Sequence, residues 1–433
     1  MLDESPYQGY LYAYPHKTSY RALDPRPALT DVWAGEDTAA LFLYVHVPFC
    51  EMRCGFCNLF TRSNASAEQV TAYLRQLRRQ ATQVAEALGP RAAFARAAIG
   101  GGTPTYLEPD ELAELFDIAT NVLGARLPGL PLSVETSPAT ATPERLAVLR
   151  AFGVTRVSIG VQSFLDAEAR AAGRPQRRDE VEAALAAIRE AATPVLNLDL
   201  IYGIDGQTAA TWQASLDAAL AWQPEELYLY PLYVRPLTGL GRRHHARADW
   251  DAQRQRLYRQ AVEVLGAAGY RQESMRQFRR ADVIAPDGPD YCCQDDGMVG
   301  LGCGARSYTR DLHYSFDYAV SVSEVRAVLD DYLSRPAADF GYAEIGFALD
   351  QAEQRRRWLL KSLLRAEGVD PVAYRGRFGT DAAADFPELA ELAGRGWADG
   401  LRLTAAGLAR SDAIGPWLTS PGVRQRMDRY VLR

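Results

Sequence analysis

A chain of 433 residues, 48% of them hydrophobic, is long enough for a large catalytic domain with one or two smaller modules, and its composition excludes a disordered protein. The formal charge of −6, with acidic and basic residues interspersed, excludes the concentrated basic stripe of a nucleic-acid-binding surface, so a small-molecule partner is expected. The opening MLDESPYQGY lacks the charged-then-apolar pattern of a signal peptide, and no stretch approaches the roughly 18 apolar residues of a membrane span, so a cytoplasmic location away from membranes is expected. Lys17 and Lys361 are the only lysines, a bias that a GC-rich coding sequence accounts for and that carries no functional weight by itself.

Residues 1–40 read as an N-terminal segment covering a barrel, with an aromatic run at 10–20 (YLYAYPHKTSY) placed to close over its open side. From residue 41 to about 234, short β-branched or aromatic runs alternate with longer amphipathic stretches, the rhythm of consecutive βα units. The predicted strands are 41–47, 95–99, 132–135, 156–161, 195–202 and 227–234, and stretches such as 67–88 and 109–123 are long enough to cross over as helices. Six repeats fall short of a closed eight-stranded barrel. The expected class is therefore α/β, a partial (βα)6 TIM-like barrel over residues 41–240 whose open side admits substrate.

The chemistry-bearing residues fall where loops leave the strands. A cysteine-rich loop follows the first strand, GGGTPT (100–105) the second, and Glu135 and Gln162 close the third and fourth. Asp199 and Tyr202 lie near the end of the fifth, and YLYPLYVR (228–235) places aromatics on the sixth. Loops at the carboxyl ends of parallel barrel strands build active sites, so this convergence is read as functional. Residues 241–345 read as a linking region carrying GLGCGARSY (300–308), and residues 346–433 as a smaller, mainly helical, winged-helix-like C-terminal module with GLRLTAAGLA at 400–409.

Cys50, Cys54 and Cys57 form a C-x3-C-x2-C run, the spacing with which one loop wraps three corners of a [4Fe–4S] cubane and leaves one iron open. An open iron is chelated by the amino and carboxylate groups of S-adenosylmethionine (SAM), and electron transfer then cleaves the sulfonium to a carbon radical. Structural zinc is the rival reading, but such sites complete four ligands with a second nearby pair, which is missing here. His46, inside a strand pattern, reads as a core or supporting residue rather than a ligand. GLGCGA lacks the βαβ setting and the glycine spacing of a dinucleotide fingerprint. Cys292 and Cys293 read as buried small residues, and Asp295 and Asp296 as a solvated turn.

LYVHVPFCEMRCGFC, GGGTPTYL, RVSIGVQSF and NLDLIYG together resemble the HemN-like branch of radical SAM proteins, which includes oxygen-independent coproporphyrinogen III oxidases, haem chaperones and class C methyltransferases. The resemblance implies two SAM molecules side by side. It assigns Tyr44, Gly101 and Glu135 to the cluster-bound SAM, and Phe56, Gly102, Thr103, Gln162, Arg174 and Asp199 to the second. It also implies a flavodoxin- or ferredoxin-like reductant. The oxidases carry a further cysteine two residues after the third cluster cysteine, where this chain has Leu59, and the haem chaperones an HNxxYW-like segment where this chain has Tyr291-Cys-Cys-Gln-Asp-Asp296. These departures point to the class C pattern, methylation or cyclopropanation of an sp2 carbon in an aromatic or conjugated natural-product intermediate, with a partner methyltransferase as a possible finishing enzyme. Oxidative decarboxylation of coproporphyrinogen and haem carriage are the alternatives.

Overall fold

The computed structural model describes residues 1–242, 249–283 and 297–433. Alternation within the strands decides which way each side chain faces. In β1 (Leu41–Val47), Leu41, Leu43, Val45 and Val47 are at most 1% exposed and join the main core. Phe42 and Tyr44 therefore face the other way, where they pack beside Ala13, Met298 and Tyr308. The pattern repeats in β2 (Phe94–Gly101), β3 (Leu132–Thr136), β4 (Arg156–Gln162), β5 (Val195–Tyr202) and β6 (Glu226–Pro231), all parallel. Leucines, valines and isoleucines at every second position form the core under the helices. The intervening Glu135, Ser158, Asn197, Asp199, Tyr228 and Tyr230 are left on the inner face.

Parallel pairing demands a crossover after each strand, and helices α1 (Ala67–Leu88), α2 (Pro109–Asp117), α3 (Pro143–Ala151), α4 (Arg178–Glu190), α5 (Ala209–Ala221) and α6 (Trp250–Ala267) supply them. Helix α1 begins at a reciprocal Ser66–Gln69 capping box and buries Val70, Leu74, Leu77 and Val84. This is the expected partial barrel. Its edges, however, are not bare. The stretch that reads as a linking region in sequence adds strands to both. β7 (Tyr270–Gln272) and β8 (Gln277–Arg280) form an antiparallel hairpin on β6. On the other side β9 (Met298–Leu301) lies parallel to β1, followed by antiparallel β10 (Arg306–Tyr308), β11 (Leu312–Ser315) and β12 (Ile345–Ala348). Arg21–Ala22 pairs with β12 at the far edge, giving thirteen strands in one open sheet. The alternating pattern is too short in these three- and four-residue strands to stand out in sequence. The sixth strand stops at Pro231 rather than running on to 234.

Residues 350–433 are mainly helical, with a small hairpin pairing Ala398–Asp399 with Arg402–Leu403. Their core, built on residues such as Leu359, Leu363, Leu392, Ile414 and Leu418, also takes in Leu2, Tyr14 and Tyr20 from the other end of the chain. A buried ion pair ties this module to the barrel: Arg276, 4% exposed, meets Asp412, 1% exposed, and Tyr233 donates its hydroxyl to the same carboxylate. Among the described residues no helix is long and apolar enough to cross a membrane. Removing one partner of a buried pair strands the other charge, so Asp412→Ala is expected to cost about 3–5 kcal/mol in chemical denaturation, well beyond the effect of Asp3→Ala at an exposed ion pair.

Candidate active site

The cysteine loop is fixed at its base and at its middle. Phe49–Cys50 pairs in parallel with Arg62–Ser63, which closes the loop where it leaves β1. Halfway round, the Gly55 amide donates to the Gly173 carbonyl at 3.1 Å, and the Leu240 amide donates to the Gly55 carbonyl at 2.7 Å. The two glycines touch: a Cβ at Gly173 would stand 2.6 Å from the Gly55 Cα. Gly55 lies inside the cysteine motif and Gly173 just before Arg174, but neither position shows in sequence that the two meet.

Cys50, Cys54 and Cys57 are free and partly exposed. Thr103 Oγ1 lies 3.6 Å from the Cys50 sulfur, Arg174 Nη1 3.4 Å from that of Cys54, and Thr61 Oγ1 4.0 Å from that of Cys57. Burial pushes the Cys50 thiol up to about 12, with Thr103 pulling it down. Burial also raises Cys54, against the pull of Arg174. Metal loading must therefore displace protons here.

His46 organises the opposite wall. Its ring Nε2 bonds the Phe60 carbonyl at 2.9 Å and its Nδ1 lies 3.3 Å from the Tyr44 hydroxyl. Burial lowers it to about 4, so it is neutral near pH 7. The ring fills the space beside Gly101 and Gly304, where a Cβ would approach it to 2.6 and 2.3 Å. Both glycine-rich motifs thus make room for one imidazole. The sequence placed His46 in a supporting role and did not reveal that it joins them.

The inner wall continues across β3 to β5. The Gly101 amide donates to Glu135 Oε2 at 3.0 Å, and burial raises the Glu135 carboxyl in spite of that bond. Asn197 Nδ2 donates to Ser158 Oγ at 2.7 Å and to Asp199 Oδ1 at 2.8 Å, which leaves Asn197 Oδ1 buried without a partner. Burial pushes Asp199 up to about 7, although Asn197 and Arg156 pull it down. A register shift between Gly160 and Gln162 skips Val161 in the pairing, and Gln162, paired with Leu200, takes φ 66°. Arg174, held by Gln176 at 2.8 Å, reaches Cys54. Phe56 packs on Ile201, Ile204 and Leu232. The Gly102 amide donates to the Val47 carbonyl and the Thr103 amide to the Phe49 carbonyl, both at 2.7 Å, tying this turn to the base of the cysteine loop. Tyr202, by contrast, turns to the outer core against Trp212 and Tyr258. Cys292, Cys293, Asp295 and Asp296 lie outside the described residues.

Residues 44–219 match the radical SAM superfamily model. The likeness runs from β1 to α5, the strand-and-helix repeat that carries the cysteine loop. The oxygen-independent coproporphyrinogen III oxidase of Pseudomonas aeruginosa is 29% identical over 418 residues, covering 90% of this chain and 86% of that protein. The haem chaperone HemW of Bacillus subtilis is 27% identical over 360 residues, 82% of this chain and 91% of that one. The solved coproporphyrinogen III oxidase HemN of Escherichia coli superposes with a TM-score of 0.78 over 98% of both chains at 24% identity, which establishes the shared fold. The HemN-like branch expected from the motifs is thus supported. The expected methylation or cyclopropanation is not: the relatives spanning most of the chain carry oxidase and haem-chaperone names, and that reading is withdrawn. It rested on Leu59 and on a segment outside the described residues, two local departures set against similarity along nearly the whole chain.

The cofactors of this superfamily are a [4Fe–4S] cluster and SAM, and the residues present fit them. Among the described residues no three His, Cys, Asp or Glu side chains gather as they would about a single metal ion. Three free thiols on one clamped loop suit a cluster whose irons each take one sulfur. The carboxylates of Glu135 and Asp199 and the unpaired Asn197 oxygen offer acceptors to the amine and ribose hydroxyls of SAM. Anaerobic reconstitution is expected to load about four irons per chain, and none in the Cys50/Cys54/Cys57→Ala protein. In Gly173→Ala the loop must shift, and iron content is expected to fall while the far-ultraviolet circular dichroism stays unchanged. For Asp199, a folded value above its ordinary 3.8 means that ionisation destabilises the apoprotein as pH rises from about 4 to about 7. Asp199→Asn should flatten that part of the stability–pH curve, read by denaturant titration.

Proposed function

We propose that the protein catalyses oxygen-independent oxidative decarboxylation of a propionate-bearing tetrapyrrole of the coproporphyrinogen class. The observation carrying this reading is similarity along nearly the whole chain to proteins of that name, such as the Escherichia coli enzyme at 28% identity over 92% of this chain and 91% of that one. When bound, the reduced cluster supplies the electron that cleaves SAM to a carbon radical able to take one hydrogen atom from the substrate. Each propionate side chain that reacts would lose that hydrogen atom and carbon dioxide, and pass one further electron to an acceptor as the vinyl group forms. A flavodoxin- or ferredoxin-like protein is the proposed reductant.

The chain's own residues position the reactants. Tyr44, Gly101 and Glu135 are proposed to hold the SAM at the cluster, and Phe56, Gly102, Thr103, Gln162, Arg174 and Asp199 a second SAM beside it. Arg174, close to Cys54, has the fork geometry to pair with a carboxylate. The aromatic wall of Tyr228 and Tyr230, with rings 6.1 Å apart, offers a flat apolar surface to a macrocycle and excludes water from the reacting carbons.

Haem carriage is the second reading, favoured by the HemW relative and by Leu59 in place of the oxidases' extra cysteine. The deciding experiment is anaerobic incubation of reduced, reconstituted protein with SAM and coproporphyrinogen III, with products read by mass spectrometry. Vinyl product with 5′-deoxyadenosine, and with no carbon from the SAM methyl group, is the expected result. No conversion, together with stoichiometric haem binding and a sharp Soret band, would reject the enzyme in favour of the carrier.

A further inference from the structure

The inner wall carries cations that the proposed positions for SAM do not use. Arg306 on β10 extends toward the N-terminal segment, where its Nη1 bonds the Tyr12 hydroxyl at 2.8 Å. Lys17 stands beside them with its ammonium 3.3 Å from the centre of the Tyr318 ring. The Tyr318 hydroxyl in turn donates at 2.7 Å to the carbonyl of Asn58, the residue after Cys57. The pair therefore sits at the margin of the cysteine loop.

What sets these two charges apart is their company. Several cations of the barrel meet carboxylates directly: Arg156 meets Glu226, Arg189 meets Glu225, and Arg276 meets Asp412. Lys17 and Arg306 make their direct contacts with tyrosines and form no ion pair with a carboxylate among the described residues, although Lys17 also feels the nearby Cys57. An aromatic face attracts a cation without cancelling its charge. Two part-buried like charges held close together repel one another, and an anion between them relieves that repulsion. The effect on Tyr12 shows the local field: burial alone would raise its hydroxyl, yet Arg306 and Lys17 bring it down to about 8. Burial, followed by Arg306, lowers Lys17 to about 8, partly offset by Tyr12.

The bland alternative is that the tyrosines suffice and the cations merely glue the N-terminal segment to β10. Lys361 already does that work from behind, donating to the Tyr12 carbonyl at 3.0 Å. Tyr12 is thus held through its backbone independently of Lys17 and Arg306.

We propose that Lys17 and Arg306, on either side of the Tyr12 hydroxyl, form a recognition site for a carboxylate of the substrate at the margin of the cysteine loop. The identity of that substrate rests on the function proposed above, whereas the preference for an anion does not. Such a site would anchor one acidic side chain and so fix which of the others is presented for reaction.

Because the chain has no lysine besides Lys17 and Lys361, amine labelling reads the site directly. Holoprotein with SAM is treated with an N-hydroxysuccinimide acetate, and the two lysines are compared by peptide mass spectrometry. Coproporphyrin III, a tetracarboxylate, is expected to slow Lys17 labelling about tenfold relative to Lys361, and its tetramethyl ester not at all. Arg306→Gln should abolish the protection, and Arg306→Lys should restore part of it. In turnover, Arg306→Gln should raise KM for the porphyrinogen about tenfold or more while KM for SAM stays unchanged. Equal protection by the ester, protection that survives Arg306→Gln, or a change confined to KM for SAM would overturn the proposal. If the wild-type protein does not convert coproporphyrinogen, that function fails on its own, and citrate becomes the probe. Arg306-dependent protection of Lys17 by citrate would then uphold the anion site, and its absence would overturn it.

Discussion

The packing of one neutral imidazole holds the catalytic face together. His46 projects from β1 into space that exists only because residues 101 and 304 lack side chains, and its two ring nitrogens engage the end of the cysteine loop and the Tyr44 hydroxyl. Three segments far apart in the chain meet on that ring: the loop after β1, the turn after β2 and the strap between β9 and β10. A charged histidine would be expensive here, and burial keeps it uncharged. A ring of fixed protonation makes a better spacer than one that changes charge near neutrality.

From this wedge the rest of the site is set by register. Once β1 and β2 are in place, alternation along parallel strands puts Glu135, Ser158, Asn197 and Asp199 on successive neighbours of one wall. The same alternation puts the branched aliphatics under the helices, so stability and chemistry share strands without sharing residues. The shift at Gly160 and Gln162 breaks that order at the carboxyl end of β4.

Much of this was legible in the sequence because it is local. Strand 41–47 and strand 195–202 appear at their expected bounds, and the cysteine spacing carries its meaning within one loop. What escaped depends on contacts between distant segments. The Gly55–Gly173 clamp joins residues more than a hundred positions apart, and nothing local marks either glycine as a contact. The edge strands are too short to show a period. Lys17 and Arg306 look ordinary in sequence and become unusual only when the fold brings them together without a carboxylate. The expected chemistry failed for the opposite reason: two local departures, Leu59 and residues 291–296, were allowed to outweigh a resemblance distributed over most of the chain.

The second core has a consequence for how the protein is made. Tyr14 and Tyr20 complete a cluster with Leu359, Ile414 and Leu418, so the segment beside the cysteine loop finds its packing partners only near the other end of the chain. During synthesis the six parallel strands and their helices emerge well before that cluster exists. The order of translation thus leaves Tyr14 and Tyr20 without these packing partners until the C-terminal helices have been made.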